Sequence, residues 1–164
     1  MDTLHAPWRI DYILGPKNPT KPGSGSLFQS IGESSDDVAN LVIARGKTCY
    51  ALLNAYPYNA GHVMIVPYRQ VPDLDDLEEE TLLELLTLTR RCQAALRRVM
   101  RPDGFNLGVN LGQVAGAGIV EHLHLHLVPR WNGDTNFMPV IAGTNVVPEA
   151  LRDTAAKLRA AMAI

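Results

Sequence analysis

The chain has 164 residues, 46% of them hydrophobic and 20% charged, which is the composition and length of one ordinary globular domain. Lysine and arginine together number 15 and aspartate and glutamate 17, so the formal net charge is −2. This balance excludes a nucleic-acid-binding protein that relies on a broad basic face, but it leaves room for a local pocket that holds a small anion.

The cysteine usage and the start of the chain indicate a cellular compartment. Cys49 and Cys92 lie in apolar segments and form no C-x-x-C pair, which predicts buried, inert thiols and favours a reducing compartment. The first residues lack the basic and apolar regions of a signal peptide. No apolar run reaches the ~18 residues of a membrane span. We therefore expect a cytoplasmic protein without a membrane partner.

The first half of the chain predicts a coil followed by strands. Residues 6–13 form a small apolar element, and the Pro-, Gly- and Ser-rich residues 15–37 predict a loop or ordered coil. Short apolar runs at 38–44, 48–54 and 62–67, separated by turn residues, predict an antiparallel meander. The break at Arg45-Gly46 is compact enough for a hairpin. We expect residues 1–164 to form a single domain, with an N-terminal element and loop at 1–37 and the core at 38–164.

A long helix is predicted next, because apolar residues recur at three- and four-residue steps over residues 74–99. Asp75 and Glu78 have the spacing of a capping box at its start, and Pro102 follows its end. Three further leucines widen the apolar surface, either as a dimer interface or as packing against the sheet: Leu82, Leu83 and Leu86.

The last part of the chain predicts two more strands and a helix. The strands span residues 105–111 and 120–129 and are joined by the glycine-rich segment 112–118, and the helix runs from about Pro148 towards Ala163. Five strands with helices before, between and after them indicate an α+β domain.

A row of histidines is the most informative chemical feature. His122, His124 and His126 alternate with leucines, so in a strand the three imidazoles share one face over about 13 Å. A neutral imidazole can attack phosphorus while its neighbours hold or protonate phosphate oxygens. Alternating histidines can also bind zinc, and histidines can cluster by chance on a half-exposed strand, so both alternatives stay open.

Several motifs resemble one known family. The segment His122-Leu123-His124-Leu125-His126-Leu127-Val128 resembles the histidine triad motif of the HIT superfamily. An upstream segment that contains Asn54, Pro57, Gly61-His62 and Pro67 resembles a second family motif, and the resemblance continues over residues 104–110. The segments 6–9 and 129–137 are similar to the bacterial branch with diadenosine tetraphosphate phosphorylase-like proteins.

The resemblance implies a fold, a partner and a mechanism. The fold is a HIT-like five-stranded antiparallel sheet with a long helix and a C-terminal helix, and the chain forms a homodimer. A purine nucleotide binds with its α-phosphate over the row. His124 attacks the phosphorus and forms a nucleotidyl-histidine, His126 holds a phosphate oxygen or the leaving group, and His122 and His62 support the nucleophile. A buried core histidine is the alternative interpretation of His62.

Further residues are candidates for nucleotide binding. By resemblance, Asn54 bonds the ribose hydroxyls and Asn110 contacts the α-phosphate region. Gly116 and Gly118 permit close approach of backbone N–H groups to phosphates, and Trp131 follows the histidine strand at the mouth of the site. The alternatives are a strand-end turn for Asn54, a plain hairpin loop for the glycines and simple packing for Trp131.

Two departures from the family pattern affect the expected chemistry. Hydrolase relatives often carry Gln or Ser three or four residues before the triad, where this chain has Gly118 and Ile119, which leaves room for phosphate rather than water as the acceptor. Many bacterial relatives carry a C-x-x-C zinc pair where this chain has residues 26–29 without a cysteine, so we expect no structural zinc. No cofactor is required for the covalent step, although a divalent cation can accompany a polyphosphate.

The expected activity is cleavage of a nucleoside 5′-phosphate derivative, such as the dinucleoside polyphosphate diadenosine tetraphosphate, by phosphorolysis or hydrolysis. One alternative is a hydrolase of nucleoside phosphoramidates or acyl-adenylates. Another is a purine nucleotide-binding module without catalysis.

Overall fold

The computed structural model describes residues 25–134 and 148–163, so the apolar element expected at 6–13 lies outside the described residues. Within these ranges a five-stranded antiparallel sheet has the order β1-β2-β3-β5-β4. Its strands are β1 Val42–Arg45, β2 Cys49–Leu53, β3 Val63–Pro67, β4 Gly104–Val109 and β5 Leu125–Arg130. The helices of the same part of the chain are α1 Leu27–Glu33, α2 Glu79–Met100 and α3 Leu151–Met162. The predicted α+β fold is confirmed.

The strand pairing explains why the histidine strand lies inside the sheet. β1 and β2 form the expected hairpin, in which the Gly46 N–H donates to the Cys49 carbonyl at 2.8 Å. β5 then pairs with β3 on one side and with β4 on the other, so that His126 lies opposite both Met64 and Gly108. A strand with two neighbours is fixed in register by both of them, which makes β5 a rigid support for its side chains.

The two faces of the sheet carry different apolar clusters. The larger cluster lies between the sheet and the helices α2 and α3, and it contains Ile65, Leu127, Leu88 and Leu158. The smaller cluster covers the opposite face beneath α1 and consists of Phe28, Val42, Tyr50, Leu52, Met64 and Val66. The two-residue period of the strands therefore separates a helix-covered core from the face on which α1 lies.

The helix α1 corrects the prediction of a coil over residues 15–37. Phe28 is 3% exposed, and the Tyr50 hydroxyl donates to its carbonyl at 2.6 Å. At the other end of the helix, the Arg45 guanidinium donates to the carbonyls of Gly32 at 2.7 Å and Ser34 at 2.6 Å. A cation that satisfies the last carbonyls stabilises a helix C-terminus, so tertiary contacts stabilise this short helix.

The predicted capping box at the start of α2 is wrong. Residues Leu74–Asp76 form a separate 3-10 turn, and the side chain of Asp73 accepts the Leu74 N–H at 2.6 Å. α2 begins later, after Glu78, whose side chain forms no capping hydrogen bond. The helix ends where Arg101 adopts a left-handed conformation with φ 49°, immediately before Pro102.

The three leucines on α2 for which the sequence left open a dimer interface or packing against the sheet differ in their surroundings. Leu82 packs against the larger apolar cluster between the sheet and the helices, as the sheet-packing interpretation requires. Leu83 and Leu86 are 65% and 58% exposed and do not pack on the sheet. They leave an apolar strip on the outer face of the helix.

Both cysteines are buried, as the sequence predicts. Cys49 and Cys92 are free thiols with no exposed surface. Burial raises the pKa of Cys49 to about 11 and that of Cys92 to about 12, so both are protonated and unreactive at neutral pH. Across the described ranges, none of the helices has the length and apolar character to cross a bilayer.

The carboxylate of Glu84 on α2 joins the helix to the β1–β2 hairpin. It accepts the Lys47 N–H at 2.8 Å, the Cys49 N–H at 2.9 Å, the Thr48 hydroxyl at 2.6 Å and the Thr48 N–H. Although burial opposes ionisation, these hydrogen bonds lower the pKa of Glu84 to about 2. Its stabilising effect is therefore complete above pH 4.5, the pKa of an unperturbed glutamate, and is lost as the pH falls towards 2.

Replacing Glu84 by glutamine is expected to lower the free energy of unfolding by about 2 kcal/mol at pH 7, because several hydrogen bonds to a charged acceptor are lost or weakened. Denaturant unfolding measures the change. Glu80→Gln is the matched control, since Glu80 lies one turn earlier and its ion pair with Lys47 is more than half exposed. It should cost about 0.5 kcal/mol or less. Equal losses in the two variants would contradict the role of Glu84.

Candidate active site

The histidine row lies where β5 begins. The strand starts at Leu125, later than the predicted start at 120, so His122 and His124 precede it. The Leu123 N–H leaves the strand ladder and donates to the Val71 carbonyl at 2.7 Å. The alternation nevertheless holds, because Leu123, Leu125 and Leu127 belong to the helix-covered core while the imidazoles lie towards α1.

His62 joins the row from the residue before β3. Its Nε2 lies 2.9 Å from Nδ1 of His126, and the rings of His124 and His126 have centroids 4.8 Å apart. All four side chains are buried, with exposed fractions between 0 and 7%. The structure thus brings together the four histidines that the sequence selected.

The hydrogen bonds assign the tautomers of His62 and His126. The Tyr58 N–H can only donate, and it lies 3.1 Å from Nδ1 of His62, so this nitrogen accepts. A neutral His62 therefore carries its proton on Nε2 and donates it to Nδ1 of His126. His126 in turn carries its proton on Nε2, which is the buried side-chain polar atom without a partner in the described part of the chain. The wall of the site thus contains an unpaired N–H donor.

The same reasoning assigns His124 and His122. The His122 carbonyl lies 2.9 Å from Nδ1 of His124 and can only accept, so His124 carries its proton on Nδ1 and a lone pair on Nε2. The Pro67 carbonyl, 2.9 Å from Nε2 of His122, likewise places the proton of His122 on Nε2. Nδ1 of His122 then accepts a short hydrogen bond from the hydroxyl of Ser26.

Burial keeps the imidazoles neutral. Desolvation, reinforced by repulsion from His126 and His124, lowers the pKa of His62 to about 3. Desolvation and repulsion from His124 lower the pKa of His126 to about 4. Burial also lowers the pKa values of His122 and His124, against an opposing contribution from their bonds to carbonyl groups. At neutral pH the row therefore offers a nucleophilic nitrogen on His124 and a hydrogen-bond donor on His126.

An apolar cavity of about 560 Å³ adjoins His124 and His126. Leu27, Phe28 and Ile31 of α1 form one wall, and residues 39–41 and 52–55 contribute others. The Phe28 ring lies 4.9 Å from the ring of His124, and the ring of Tyr58 stacks on His126 at 5.7 Å. The volume and the apolar walls of this cavity suit a flat aromatic ring, while the histidines supply polar groups at one side.

The cavity includes three of the predicted nucleotide-binding residues. Asn54, Gly116 and Gly118 all line it. The Asn54 side chain also accepts the Tyr56 N–H at 2.9 Å, which is the turn interaction considered as its alternative role. Gly116 has φ 91°, a conformation that favours glycine.

Two predicted site residues lie elsewhere. Asn110 does not line the cavity; its amide donates to the Gly116 carbonyl at a long 3.5 Å, so its contact is with the glycine loop. The Trp131 indole N–H donates to the Met100 carbonyl at 3.2 Å, and the side chain lines a separate depression together with Asn59 and Lys157. The packing interpretation of Trp131 is the one that these contacts favour.

The contributions of α1 and of Tyr58 to the site were not predicted from the sequence. Ser26, followed three residues later by Gln29, has the spacing of a capping box, and the Gln29 N–H donates to Ser26 Oγ at 3.1 Å. That signal predicts a helix start inside the stretch assigned to coil. Phe28 and Ile31 then provide the apolar face of a helix too short for periodicity to be recognised.

Hydrogen bonds occupy most of the ring nitrogens of the histidine row that a metal ion would need. Both ring nitrogens of His122 and one of His124 are engaged in hydrogen bonds. At the positions expected for a zinc-binding pair, Ser26 bonds His122 and the Gln29 amide donates to Glu33 at 3.1 Å. In residues 25–134 and 148–163, no three histidine, cysteine, aspartate or glutamate side chains are arranged so that together they could hold a metal ion.

Together, the five-stranded α+β fold and the histidine row beside an apolar cavity indicate a histidine triad protein. Residues 36–133 match the HIT domain, and the chain belongs to that family.

Two curated relatives carry names that describe an activity. The chain is 45% identical over 158 residues to a protein of Mycobacterium tuberculosis H37Rv named AP-4-A phosphorylase, an alignment that covers 94% of this chain and 80% of the relative. It is 36% identical over 97 residues to the asymmetrical bis(5'-nucleosyl)-tetraphosphatase of Schizosaccharomyces pombe, covering 59% and 53% of the two chains.

A solved structure is also similar. A Zn-bound histidine triad family protein from Mycobacterium smegmatis superposes with a TM-score of 0.68 and 27% identity, covering 85% of this chain and 94% of that one. The similarity extends beyond the matched HIT segment.

Proposed function

We propose that this protein is an enzyme that cleaves dinucleoside polyphosphates such as diadenosine tetraphosphate through a nucleotidyl-histidine intermediate on His124. The observation that carries the proposal is the lone pair on Nε2 of His124, which the His122 carbonyl fixes by holding the proton on Nδ1. The adjoining cavity suits a nucleobase. The 45% identity to the mycobacterial AP-4-A phosphorylase supports the choice of substrate.

The first chemical step forms the covalent intermediate. With the base in the cavity, Nε2 of His124 attacks the α-phosphorus, the bond from phosphorus to the bridging oxygen breaks, and its electron pair leaves with ATP. The Nε2–H of His126 donates to a phosphate or leaving-group oxygen, and the His122 carbonyl stabilises the charge that develops on the ring of His124.

In the second step an acceptor oxygen attacks phosphorus, and the N–P electron pair returns to Nε2 of His124. Phosphate as acceptor yields ADP, and water yields AMP. Gly118 lines the cavity, and apart from its two chain neighbours no described residue has an atom within 4 Å of a Cβ added there. This open space supports phosphate as the acceptor.

Product analysis by chromatography tests the reaction. The protein is incubated with diadenosine tetraphosphate in the presence and absence of inorganic phosphate. We expect ADP and ATP in equal amounts, and only with phosphate. AMP and ATP without phosphate would show hydrolysis instead. No turnover under either condition would contradict the proposal and favour phosphoramidates or acyl-adenylates as substrates, or a binding module without catalysis.

Replacing His126 by phenylalanine is expected to lower kcat about 100-fold, because an aromatic ring of similar size remains while the N–H donor to a charged oxygen is lost. Steady-state kinetics measure the effect. Ile65→Val, on the helix-covered face of β3 and outside the cavity lining, is the matched control and should stay within about threefold of the wild-type kcat. Equal rates for His126→Phe and the wild type would remove His126 from the mechanism.

The remaining proposals concern cofactors, assembly and location. The covalent step requires no metal ion, although a divalent cation can accompany the polyphosphate. A homodimer is supported by the exposed Leu83 and Leu86, and by Leu107, which is 53% exposed on β4 at the edge of the sheet. Light scattering at twice the monomer mass would confirm it. The free thiols of Cys49 and Cys92 support a cytoplasmic location.

A further inference from the structure

We propose that Ser26 is a positioning residue for the histidine row, because its hydroxyl donates to Nδ1 of His122 and thereby fixes the residue whose main chain orients His124. The consequence for rate rests on the proposed function. The hydrogen bond itself can be measured without any substrate.

The direction of the Ser26–His122 bond follows from its neighbours. Nε2 of His122 carries the ring proton, since its partner is the Pro67 carbonyl at 2.9 Å, and Nδ1 is therefore an acceptor. Ser26 Oγ already accepts the Gln29 N–H at 3.1 Å, which leaves the hydroxyl proton available. Ser26 and His122 are 3% and 0% exposed, so loss of the hydroxyl would leave Nδ1 buried without that donor.

Ser26 is itself held in place from outside the histidine row. Its backbone N–H donates to the Gln70 side chain at 2.9 Å, beyond the end of β3. The first turn of α1 is fixed by the bond from the Tyr50 hydroxyl to the Phe28 carbonyl, and the Phe28 ring meets the ring of His122 edge-on at 5.6 Å. The serine is therefore a fixed point against which the imidazole is oriented.

The hydrogen bonds of the His122 ring position the main chain around it, because this part of the chain does not pair with a neighbouring strand. Pairing between β3 and β5 begins at Leu125, so His122 and His124 lie outside the ladder. The ring of His122 is bonded at both nitrogens, and its carbonyl holds Nδ1 of His124 at 2.9 Å. A shift of this carbonyl would move the nucleophilic nitrogen of His124, and small displacements of reacting groups lower rates strongly.

Three variants of α1 test the effect on rate. Ser26→Gly removes the hydroxyl but keeps a residue that serves well as a helix N-cap, so helix α1 is retained. We expect kcat for diadenosine tetraphosphate to fall about 10- to 100-fold with KM changed by about twofold or less, since geometry rather than affinity is affected. Ser26→Thr keeps a hydroxyl donor and should retain most of the activity. Ser30→Ala removes an exposed hydroxyl of the same helix that donates to the Ser26 carbonyl at a long 3.4 Å and does not touch His122, so it should behave as wild type.

Nitrogen NMR of histidine-labelled, substrate-free protein gives an independent readout. In the wild type we expect His122 as the Nε2–H tautomer with a hydrogen-bonded Nδ1, and in Ser26→Gly a shift of Nδ1 towards the frequency of an unbonded nitrogen. An Nδ1–H tautomer of His122 in the wild type would overturn the proposal, even if the glycine variant does not fold. Wild-type kcat in a folded Ser26→Gly variant would also overturn it. If the wild type turns over no substrate, the proposed function fails, while the spectra still decide the role of Ser26.

Discussion

Replacing His124 by alanine is expected to abolish turnover, with a loss of kcat of at least about 10⁴-fold, as for removal of a covalent nucleophile. Turnover depends on Nε2 of His124, because this nitrogen has a free lone pair at neutral pH and His124 lines the cavity. His62 and His126 cannot replace it in the same tautomeric state. His62 uses Nδ1 for Tyr58 and donates from Nε2, and His126 presents a donor.

Controls must show that His124→Ala still folds and binds nucleotide, so that the loss of turnover reflects the catalytic step alone. AMP binding by calorimetry and cooperative thermal unfolding should both persist, because the apolar walls of the cavity stay in place. Mass spectrometry of wild type quenched under alkaline conditions should detect a nucleotidyl adduct that the variant lacks. Turnover within tenfold of wild type in the variant would exclude His124 as the nucleophile.

Lowering the pH from 7 to 5 is expected to reduce the free energy of unfolding by at least about 4 kcal/mol. His62 and His126 have pKa values of about 3 and about 4 in the folded protein, against 6.5 for an unperturbed histidine. Below pH 6.5 the unfolded chain therefore binds more protons than the folded one, and stability falls with falling pH. At 1.36 kcal/mol per pH unit, each histidine contributes about 2 kcal/mol of this loss.

Denaturant unfolding at several pH values measures this dependence. His122 and His124 act in the same direction, because their pKa values are also lowered. The acidic side chain of Glu84, whose pKa is about 2, contributes below pH 4.5 and does not interfere. His126→Gln should reduce the loss between pH 7 and 5 by about 2 kcal/mol, since one titrating group is removed. Stability that does not change over this range would contradict a buried, neutral histidine row.

The sheet and the histidine row were predictable because their signals are local and periodic. Alternating leucines and histidines over residues 122–127 determine which face of the chain packs against the helices, and turn residues such as Gly46 separate the strands. The start of β5 was placed too early, because side-chain alternation continues through His122 and His124 while the backbone bonds leave the ladder. A sequence pattern reports which side chains are buried, not which backbone groups are paired.

The wall formed by α1 was harder to predict because it depends on distant partners. A seven-residue helix has little stability of its own, and here its ends are held by Arg45 and by contacts of Ser26 with Gln70 and His122. Trp131 shows the opposite case, since its proximity to the histidine strand along the chain does not place it at the cavity. Distances along a sequence do not specify which side of a sheet edge a loop turns towards.

The matched family segment is shorter than the part of the chain that surrounds the histidines, because two helices of the domain lie outside it. The segment begins at residue 36, after the end of α1, and stops at 133, before α3. A fragment expressed with those boundaries would contain every histidine of the row but would lack Phe28 beside His124 and Leu158 in the main core. A comparison of relatives over that segment alone would likewise cover the histidine row while leaving out the α1 side chains that line the adjoining cavity.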